Sequence, residues 1–298
     1  MDIKKFSGVY PAVITPFTEE GHVDVEKLTN YIKYLSDKVD GLFVGGSYGS
    51  GPIMTKEERK TVAETVMKVA KGKLPVIVMV GATDTNTTLE LAKHAESVGV
   101  DAVAAVTPCY YRHTEDVIIQ YYKDLIASTS LPVLAYNNPK YSNFCISGDL
   151  LKKLADLGLQ GVKDSSADIA LFYDFMAKVD NEGFLFLIGS QTHLVPAVVG
   201  GAHGVVSGLS NAFPGFIKEI YQACKDGDFK KARDMQLKAN LLRSVTGDGI
   251  PVPFYHAVLP MLNVDIGVPK KPFLPRSEKE VERIRKALTE TKMIIQED

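Results

Sequence analysis

Two residues near the middle of this 298-residue chain have types and places suited to covalent carbonyl chemistry. Lys163 closes the short apolar run Gly161-Val-Lys163, and Tyr136 closes Val133-Leu-Ala-Tyr136. A lysine at the end of a buried strand loses hydration, which penalises the ammonium form and lowers its pKa. The neutral amine can attack a ketone to give an imine, and the enamine form of that imine is a carbon nucleophile. A phenol both donates and accepts protons, so Tyr136 suits the transfers that such a cycle needs. The alternative is structural, with Lys163 paired to Asp164 at a strand mouth and Tyr136 packed under a loop. Spacing alone leaves both open.

Other loops supply polar groups at comparable places. Gly45-Gly-Ser-Tyr-Gly-Ser-Gly51 lets backbone N–H groups approach an anion such as a carboxylate, and Ser47 adds a hydroxyl for a proton relay. Read alone, the same loop is equally a turn that needs positive φ. It is not a P-loop, because Gly-Lys-Ser/Thr is missing. Thr107-Pro-Cys-Tyr-Tyr-Arg112 sets Tyr110 and Tyr111 side by side, so that one faces a site and the other an interface, or both simply pack. Gly189-Ser-Gln-Thr-His193 and Ser207-Gly-Leu-Ser-Asn211 carry hydroxyls and amides where many barrels bind phosphate. The six histidines, at 22, 94, 113, 193, 203 and 256, lack the spacings of a metal site, and none is expected. His193 and His203 are expected to cap or pack, and His256 is ambiguous.

These residues need a scaffold that gathers strand ends. Eight short apolar runs alternate with amphipathic stretches, the pattern of βα units on a parallel sheet. The runs are Val9–Ile14, Gly41–Val44, Pro75–Met79, Ala102–Val106, Pro132–Tyr136, Gly161–Lys163, Phe184–Ile188 and Gly204–Ser207. Thr55 with Glu58 forms a capping box, Asp24 opens a helix over Val25–Asp37, and Ser147 opens one over Gly148–Leu157. Four helix-to-strand joints echo one another: Val39-Asp-Gly-Leu-Phe, Val100-Asp-Ala-Val-Ala, Leu159-Gln-Gly-Val-Lys and Ala202-His-Gly-Val-Val. That echo, with no Gly-x-Gly-x-x-Gly after the first run, favours an α/β (β/α)8 TIM barrel over an open sheet. Beyond about residue 213 the pattern is helical, near 213–226, 229–245 and 278–294, around a Pro-rich segment over 250–275. The expected division is a barrel over 1–220 and a C-terminal helical extension over 221–298 packed on it.

Composition narrows the partners. Hydrophobic residues make up 45% of the chain, enough for a large core, and 34 basic against 36 acidic residues leave a net charge of −2. No basic run suggests nucleic acid, and no apolar run approaches a membrane span, so a small-molecule partner is expected. Three scattered cysteines and the lack of an apolar leader point to a cytoplasmic protein without a disulfide framework.

The constellation resembles the N-acetylneuraminate lyase and dihydrodipicolinate synthase family of pyruvate-type class I aldolases. The likeness runs through Gly8-Val-Tyr-Pro-Ala-Val-Ile-Thr-Pro-Phe17, Gly45-Gly-Ser-Tyr-Gly49, Val106-Thr-Pro-Cys-Tyr-Tyr111, Tyr136-Asn-Asn-Pro139 and Gly161-Val-Lys-Asp164, in family order over nearly the whole chain. The resemblance implies that Lys163 is the Schiff-base lysine, that Tyr136 shuttles protons, that Ser47 is a relay hydroxyl, and that Tyr110 reaches into a neighbouring subunit's site. A homo-oligomer, dimer or tetramer, is therefore implied, with pyruvate as partner and no cofactor beyond the covalent imine on Lys163. Substrate is expected to meet Tyr48, Ser165, Gly189, Gln191, Thr192, Val206 and Ser207.

The departures fall on the half of the site that chooses the second substrate. Tyr48 and Ser50 stand where the family usually has Ser or Thr and Glu. Tyr141 replaces the arginine of dihydrodipicolinate synthases, and Gln191 and Thr192 replace an acidic pair of sialic acid lyases. What remains resembles aldolases of 4-hydroxy-2-oxo acids such as 2-keto-3-deoxy sugar acids, with a small aldehyde as the other partner. The rival readings are a dehydratase using the same imine, either of the two family activities, a non-catalytic sensor of 2-oxo acids, and a phosphate-binding barrel.

Overall fold

The computed structural model describes residues 1–247 and 251–294. Residues 248–250 and 295–298, which belong to the expected extension, lie outside the described residues.

All eight expected strands form, in one parallel sheet: β1 (Gly8–Pro11), β2 (Leu42–Val44), β3 (Val76–Met79), β4 (Ala102–Val106), β5 (Val133–Asn137), β6 (Gly161–Asp164), β7 (Leu185–Ile188) and β8 (Gly204–Ser207). The ladder runs β1-β8-β7-β6-β5-β4-β3-β2. It returns on itself through the Ala12–Phe43 bridge and the Val13 N–H to Phe43 carbonyl bond of 2.9 Å. Asn211 fastens the same seam, accepting from Ile14 N at 3.2 Å and donating to the Ala12 carbonyl at 2.9 Å. This is a TIM barrel with C-terminal helices, as expected. The first strand stops at Pro11, short of the expected Ile14, and β5 and β6 each run one residue further than expected.

The outer helices are α1 (Val25–Leu35), α2 (Lys56–Ala70), α3 (Thr85–Val98), α4 (Glu115–Ala127), α5 (Pro139–Ser142), α6 (Gly148–Asp156), α7 (Ile169–Lys178), α8 (Leu194–Val199) and α9 (Pro214–Lys225). They start where caps direct. Asp24, Thr55 and Ser147 each accept a backbone N–H three residues on, and Glu58 completes the capping box at Thr55. The extension continues with α10 (Phe229–Val245), α11 (Val252–Met261) and α12 (Glu278–Glu290). The expected division at residue 220 falls inside α9, whose Ile217, Ile220 and Ala223 are buried. α11 corrects the reading of 250–275 as Pro-rich connection. Pro253 occupies its first turn, where no N–H is needed, and Val252, Phe254, Tyr255, Val258 and Leu259 are all buried.

The echo among the four joints has a structural cause. Asp40, Asp101, Gln160 and His203 precede the even strands, and each N–H extends the ladder to the strand before, onto the carbonyls of Val9, Val76, Val133 and Phe186 at 2.9–3.0 Å. Three of the side chains close a second bond: Asp40 accepts from Val9 N, Asp101 from Val76 N and His203 from Phe186 N. The small residue that follows is needed by the crowded barrel axis. A Cβ on Gly41 would fall 2.1 Å from Tyr10, and one on Gly161 would fall 2.8 Å from the Leu185 carbonyl.

Candidate active site

Strand alternation decides which side chains face the barrel axis. On β5, Leu134 and Tyr136 join Phe43 and Val206 in the inner layer, while Val133 and Ala135 pack outward beneath the helices. On β6, Val162 packs outward, so Gly161 and Lys163 on either side of it face inward. The register sets Tyr136 opposite Lys163.

Lys163 is 3% exposed, and its Nζ lies 3.7 Å from the ring centroid of Phe43 and 3.8 Å from that of Tyr136. The ring faces favour the ammonium by about 2 kcal/mol or somewhat more. Complete burial costs an ion several kcal/mol. Burial therefore dominates, and holds the Lys163 pKa well below the ordinary lysine range. The ion pair with Asp164 does not form. Asp164 faces outward and accepts from Asn137 Nδ2 at 2.7 Å, from Ser166 Oγ at 2.7 Å and from Ser166 N at 3.3 Å.

Tyr136 accepts a hydrogen bond from Asn138 Nδ2 at 3.0 Å, and its ring meets Phe43 edge-on at 5.7 Å. Burial raises the phenol's pKa, while hydrogen bonding with Ser47, Ser165 and Asn138 works in the opposite direction. The phenol is thus protonated at neutral pH, yet surrounded by groups that stabilise it after it gives the proton up.

The loop after β2 is shaped by close approach. Gly45 has φ +70°, and a Cβ on Gly49 or Gly51 would fall 2.8 Å from the Val13 carbonyl or 1.8 Å from that of Gly45. Among the described residues, the N–H groups of Ser47 and Tyr48 donate to no protein acceptor, so both are available to an anion. Tyr48 occupies the room left by Gly208, where a Cβ would meet its ring at 2.5 Å and the Tyr255 hydroxyl at 2.8 Å. Burial pushes the Tyr48 phenol up to about 12, and Arg243 opposes that rise.

A cleft of about 140 Å³ gathers these groups at the C-terminal ends of the strands. Of the expected residues, Ser47, Tyr48, Tyr136, Lys163, Ser165, Gly189, Gln191 and Val206 line it. Thr192 does not, because its hydroxyl is tied to Ser190 Oγ at 2.7 Å and to His193 Nδ1 at 3.1 Å, and Ser190 takes the place on the wall. Ser207 stands behind the wall, donating to Gln191 Oε1 at 3.2 Å, and Gln191 is steadied in turn by Gln236 Nε2 on its carbonyl at 2.7 Å. Ser210 and Asn211 are spent on backbone carbonyls and the barrel seam. Tyr110 lies outside the cleft, 79% exposed with φ +82°. None of the histidines lines the cleft: His203 stacks on Phe186, and His256 is buried with Nδ1 against the Gly267 carbonyl at 3.2 Å, its pKa lowered by burial to about 4.

Asn138, Lys140 and Arg243 also line the cleft and were not expected there, while Ser190 and Gly208 come from the two loops singled out after β7 and β8. Asn138 lies within the quoted Tyr-Asn-Asn-Pro stretch, so its position was signalled even though its role was not. Nothing near Arg243 distinguishes it from other charges on an amphipathic helix. Among the described residues no group of three or more His, Cys, Asp or Glu side chains could hold a metal ion, and no helix is long and apolar enough to cross a membrane.

The comparisons with known proteins agree with this geometry. A profile of the dihydrodipicolinate synthetase family matches residues 5–291. The 4-hydroxy-tetrahydrodipicolinate synthase of Archaeoglobus fulgidus is 29% identical over 291 residues, covering 97% of this chain and 99% of that protein. Among solved structures, dihydrodipicolinate synthase DapA-2 of Bacillus anthracis superposes with a TM-score of 0.91 at 30% identity, covering 98% of this chain and 99% of that one. The sialic acid aldolase of Ruminococcus gnavus gives 0.92 at 28% identity, covering 97% and 99%. An inward lysine beside a tyrosine at the mouth of a TIM barrel, in a chain matched end to end, leads to one assignment: the protein belongs to the dihydrodipicolinate synthetase family and is a pyruvate-dependent class I aldolase-type enzyme.

Proposed function

We propose that this chain cleaves or forms a 4-hydroxy-2-oxo acid of the 2-keto-3-deoxy sugar acid class, with pyruvate as the enamine partner. The observation that carries the reading is the buried Lys163 amine, its pKa held well below the ordinary lysine range, set against Tyr136, whose phenol is ringed by Ser47, Asn138 and Ser165. In the cleavage direction the Lys163 amine attacks the C2 carbonyl, and water leaves as the imine forms. Tyr136 takes the C4 hydroxyl proton as the C3–C4 bond breaks, releasing an aldehyde and leaving the pyruvate enamine on Lys163. The enamine is protonated at C3, and hydrolysis frees pyruvate. The Ser47 and Tyr48 N–H groups, which donate to no acceptor among the described residues, would hold the 2-oxo acid's carboxylate.

Relatives carry the dihydrodipicolinate synthase name, but Tyr141 stands where that activity commonly uses an arginine, and Gln191 and Thr192 where sialic acid lyases present acids. Hydroxyl- and amide-bearing walls suit a polyhydroxy tail. A homo-oligomer belongs to the same proposal. Tyr110 keeps an unfavourable backbone for a bulky residue while 79% exposed, and its ring meets that of Tyr111 edge-on at 5.0 Å. A second copy would give that pair something to touch.

Reduction with borohydride in the presence of pyruvate, followed by intact mass, tests the reading. A pyruvate-sized adduct absent from Lys163→Ala supports it. Lack of an adduct on the parent chain would overturn both the aldolase and the dehydratase accounts.

A further inference from the structure

The wall of the cleft carries an excess of positive charge that the imine chemistry does not use. Arg243, from the last turn of α10, and Lys140, from α5, line the same cleft as Lys163. Among the described residues no Asp or Glu lines it. Neither cation takes part in an ion pair among those residues. Lys140 is exposed, with its Nζ 5.4 Å from the Tyr141 ring centroid. Arg243 donates one hydrogen bond, from Nη1 to Thr246 Oγ1, which leaves most of its planar fork free. Its guanidinium sits close enough to Tyr48 and Tyr255 to lower both phenol pKa values against their burial. It is therefore placed beside Tyr48, on the part of the wall where this chain departs from its relatives.

We propose that Arg243, assisted by Lys140, forms a second anion subsite, so that the aldehyde accepted or released here carries a terminal carboxylate or phosphate. This deepens the aldolase reading and rests on it. The carboxylate of the 2-oxo acid has its own donors in the Ser47 and Tyr48 N–H groups, and a guanidinium fork suits the far end of a dianionic substrate. The alternative use of these cations, as a second grip on the pyruvate carboxylate, is an outcome of the same test.

Pyruvate condensation is measured with three aldehydes: neutral glyceraldehyde, glyceraldehyde 3-phosphate and succinic semialdehyde. Each is run on the parent chain, Arg243→Gln, Arg243→Lys and Lys140→Gln. The parent is expected to favour an anionic aldehyde at least tenfold in kcat/KM, and whichever of the two it favours identifies phosphate or carboxylate. Arg243→Gln is expected to cut that preference by roughly 10- to 100-fold, the usual range for losing a hydrogen bond to a charged group. Arg243→Lys should keep an intermediate preference, and Lys140→Gln should lower it less. The proposal is overturned if the parent uses glyceraldehyde equally well, if Arg243→Gln weakens all three aldehydes alike, or if the loss falls on the KM for pyruvate. Should the parent form no borohydride-trapped adduct with pyruvate, the aldolase reading fails separately. Calorimetric binding of succinate and of inorganic phosphate to the parent and to Arg243→Gln then decides the subsite: binding lost in the variant supports it, and no binding to the parent overturns it.

Discussion

Asn137 donates to Asp164 Oδ1 at 2.7 Å across the β5–β6 ladder, one residue beyond Tyr136 and Lys163 and on the opposite face of the same strands. The bond ties together the two strand ends that carry Tyr136 and Lys163. Asn137 Oδ1 also accepts from Ile146 N at 3.0 Å, and Asp164 holds the Ser166 turn. Burial already raises the Asp164 pKa, and the bonds from Ser166 and Asn137 lower it. Asn137→Ala removes one of those partners and orphans a buried N–H, so it should cost about 1–3 kcal/mol of stability. If the bond positions the pair, kcat should fall by roughly 10-fold or more with a smaller change in the KM for pyruvate, as a displacement on the order of 1 Å does elsewhere. Thermal unfolding and steady-state kinetics on one preparation separate the two effects.

Replacing Lys163 by Met should abolish imine formation and stabilise the fold. Burial disfavours the charged form of this lysine in the folded chain, so wherever the unfolded lysine holds its proton and the folded one does not, folding releases a proton and costs free energy. Between its depressed folded pKa and about 10.5 the unfolded chain binds more protons, and parent stability rises with pH. Lys163→Met should lack that rise. Its Tm should exceed the parent's at pH 7, by roughly 2–4 °C for each kcal/mol recovered, and the gap should close as pH approaches 10.5. An unchanged or lower Tm at pH 7 would show that Lys163 is not held uncharged.

Tyr136→Phe keeps the ring that packs on Phe43 and removes only the hydroxyl. Loss of a positioned proton-transfer group typically costs about 10²–10⁴-fold. A loss of that size is expected for aldol cleavage, with the pyruvate adduct still trapped by borohydride, although more slowly. Cleavage at the parent rate would remove Tyr136 from the chemistry.

Gly208→Ala inserts a Cβ 2.5 Å from the Tyr48 ring at a position whose φ of −67° any residue can adopt. The cost is therefore steric and falls on Tyr48. The KM for the aldehyde should rise several-fold more than the KM for pyruvate, and Tyr48→Ser in the same chain should restore part of the loss. Equal changes in both KM values would mean that Tyr48 does not shape the aldehyde's side of the cleft.

Much of this architecture was legible because strands buried on both faces read as short apolar runs, and a polar residue closing such a run marks itself. Lys163 and Tyr136 were found that way. The four-joint echo was visible, yet its reason was only half seen: the small residue was noticed, while the ladder-extending bonds of Asp40, Asp101, Gln160 and His203 depend on strand neighbours that sequence order does not display. α11 was missed because Pro251, Pro253 and Pro260 dominate its composition, although all three sit at or near its ends. Ser190 took the place expected of Thr192 because a short 3₁₀ turn follows β7, and the facing side chain there obeys neither strand nor helix spacing. Arg243 was invisible because its role depends on where α10 docks, some 80 residues after Lys163.

The alternation that turns Lys163 toward the axis also sets a rule for changes in chain length. One residue added between Leu157 and Gln160 would bring Val162 and Asp164 inward and send the amine out among the helices, replacing a nucleophile with a carboxylate. Two added residues would restore the facing but move the amine one layer along the barrel, away from Tyr136. The turn ahead of β6 therefore works as a counted spacer, and the turn ahead of β5, which sets the facing of Tyr136, is bound by the same count.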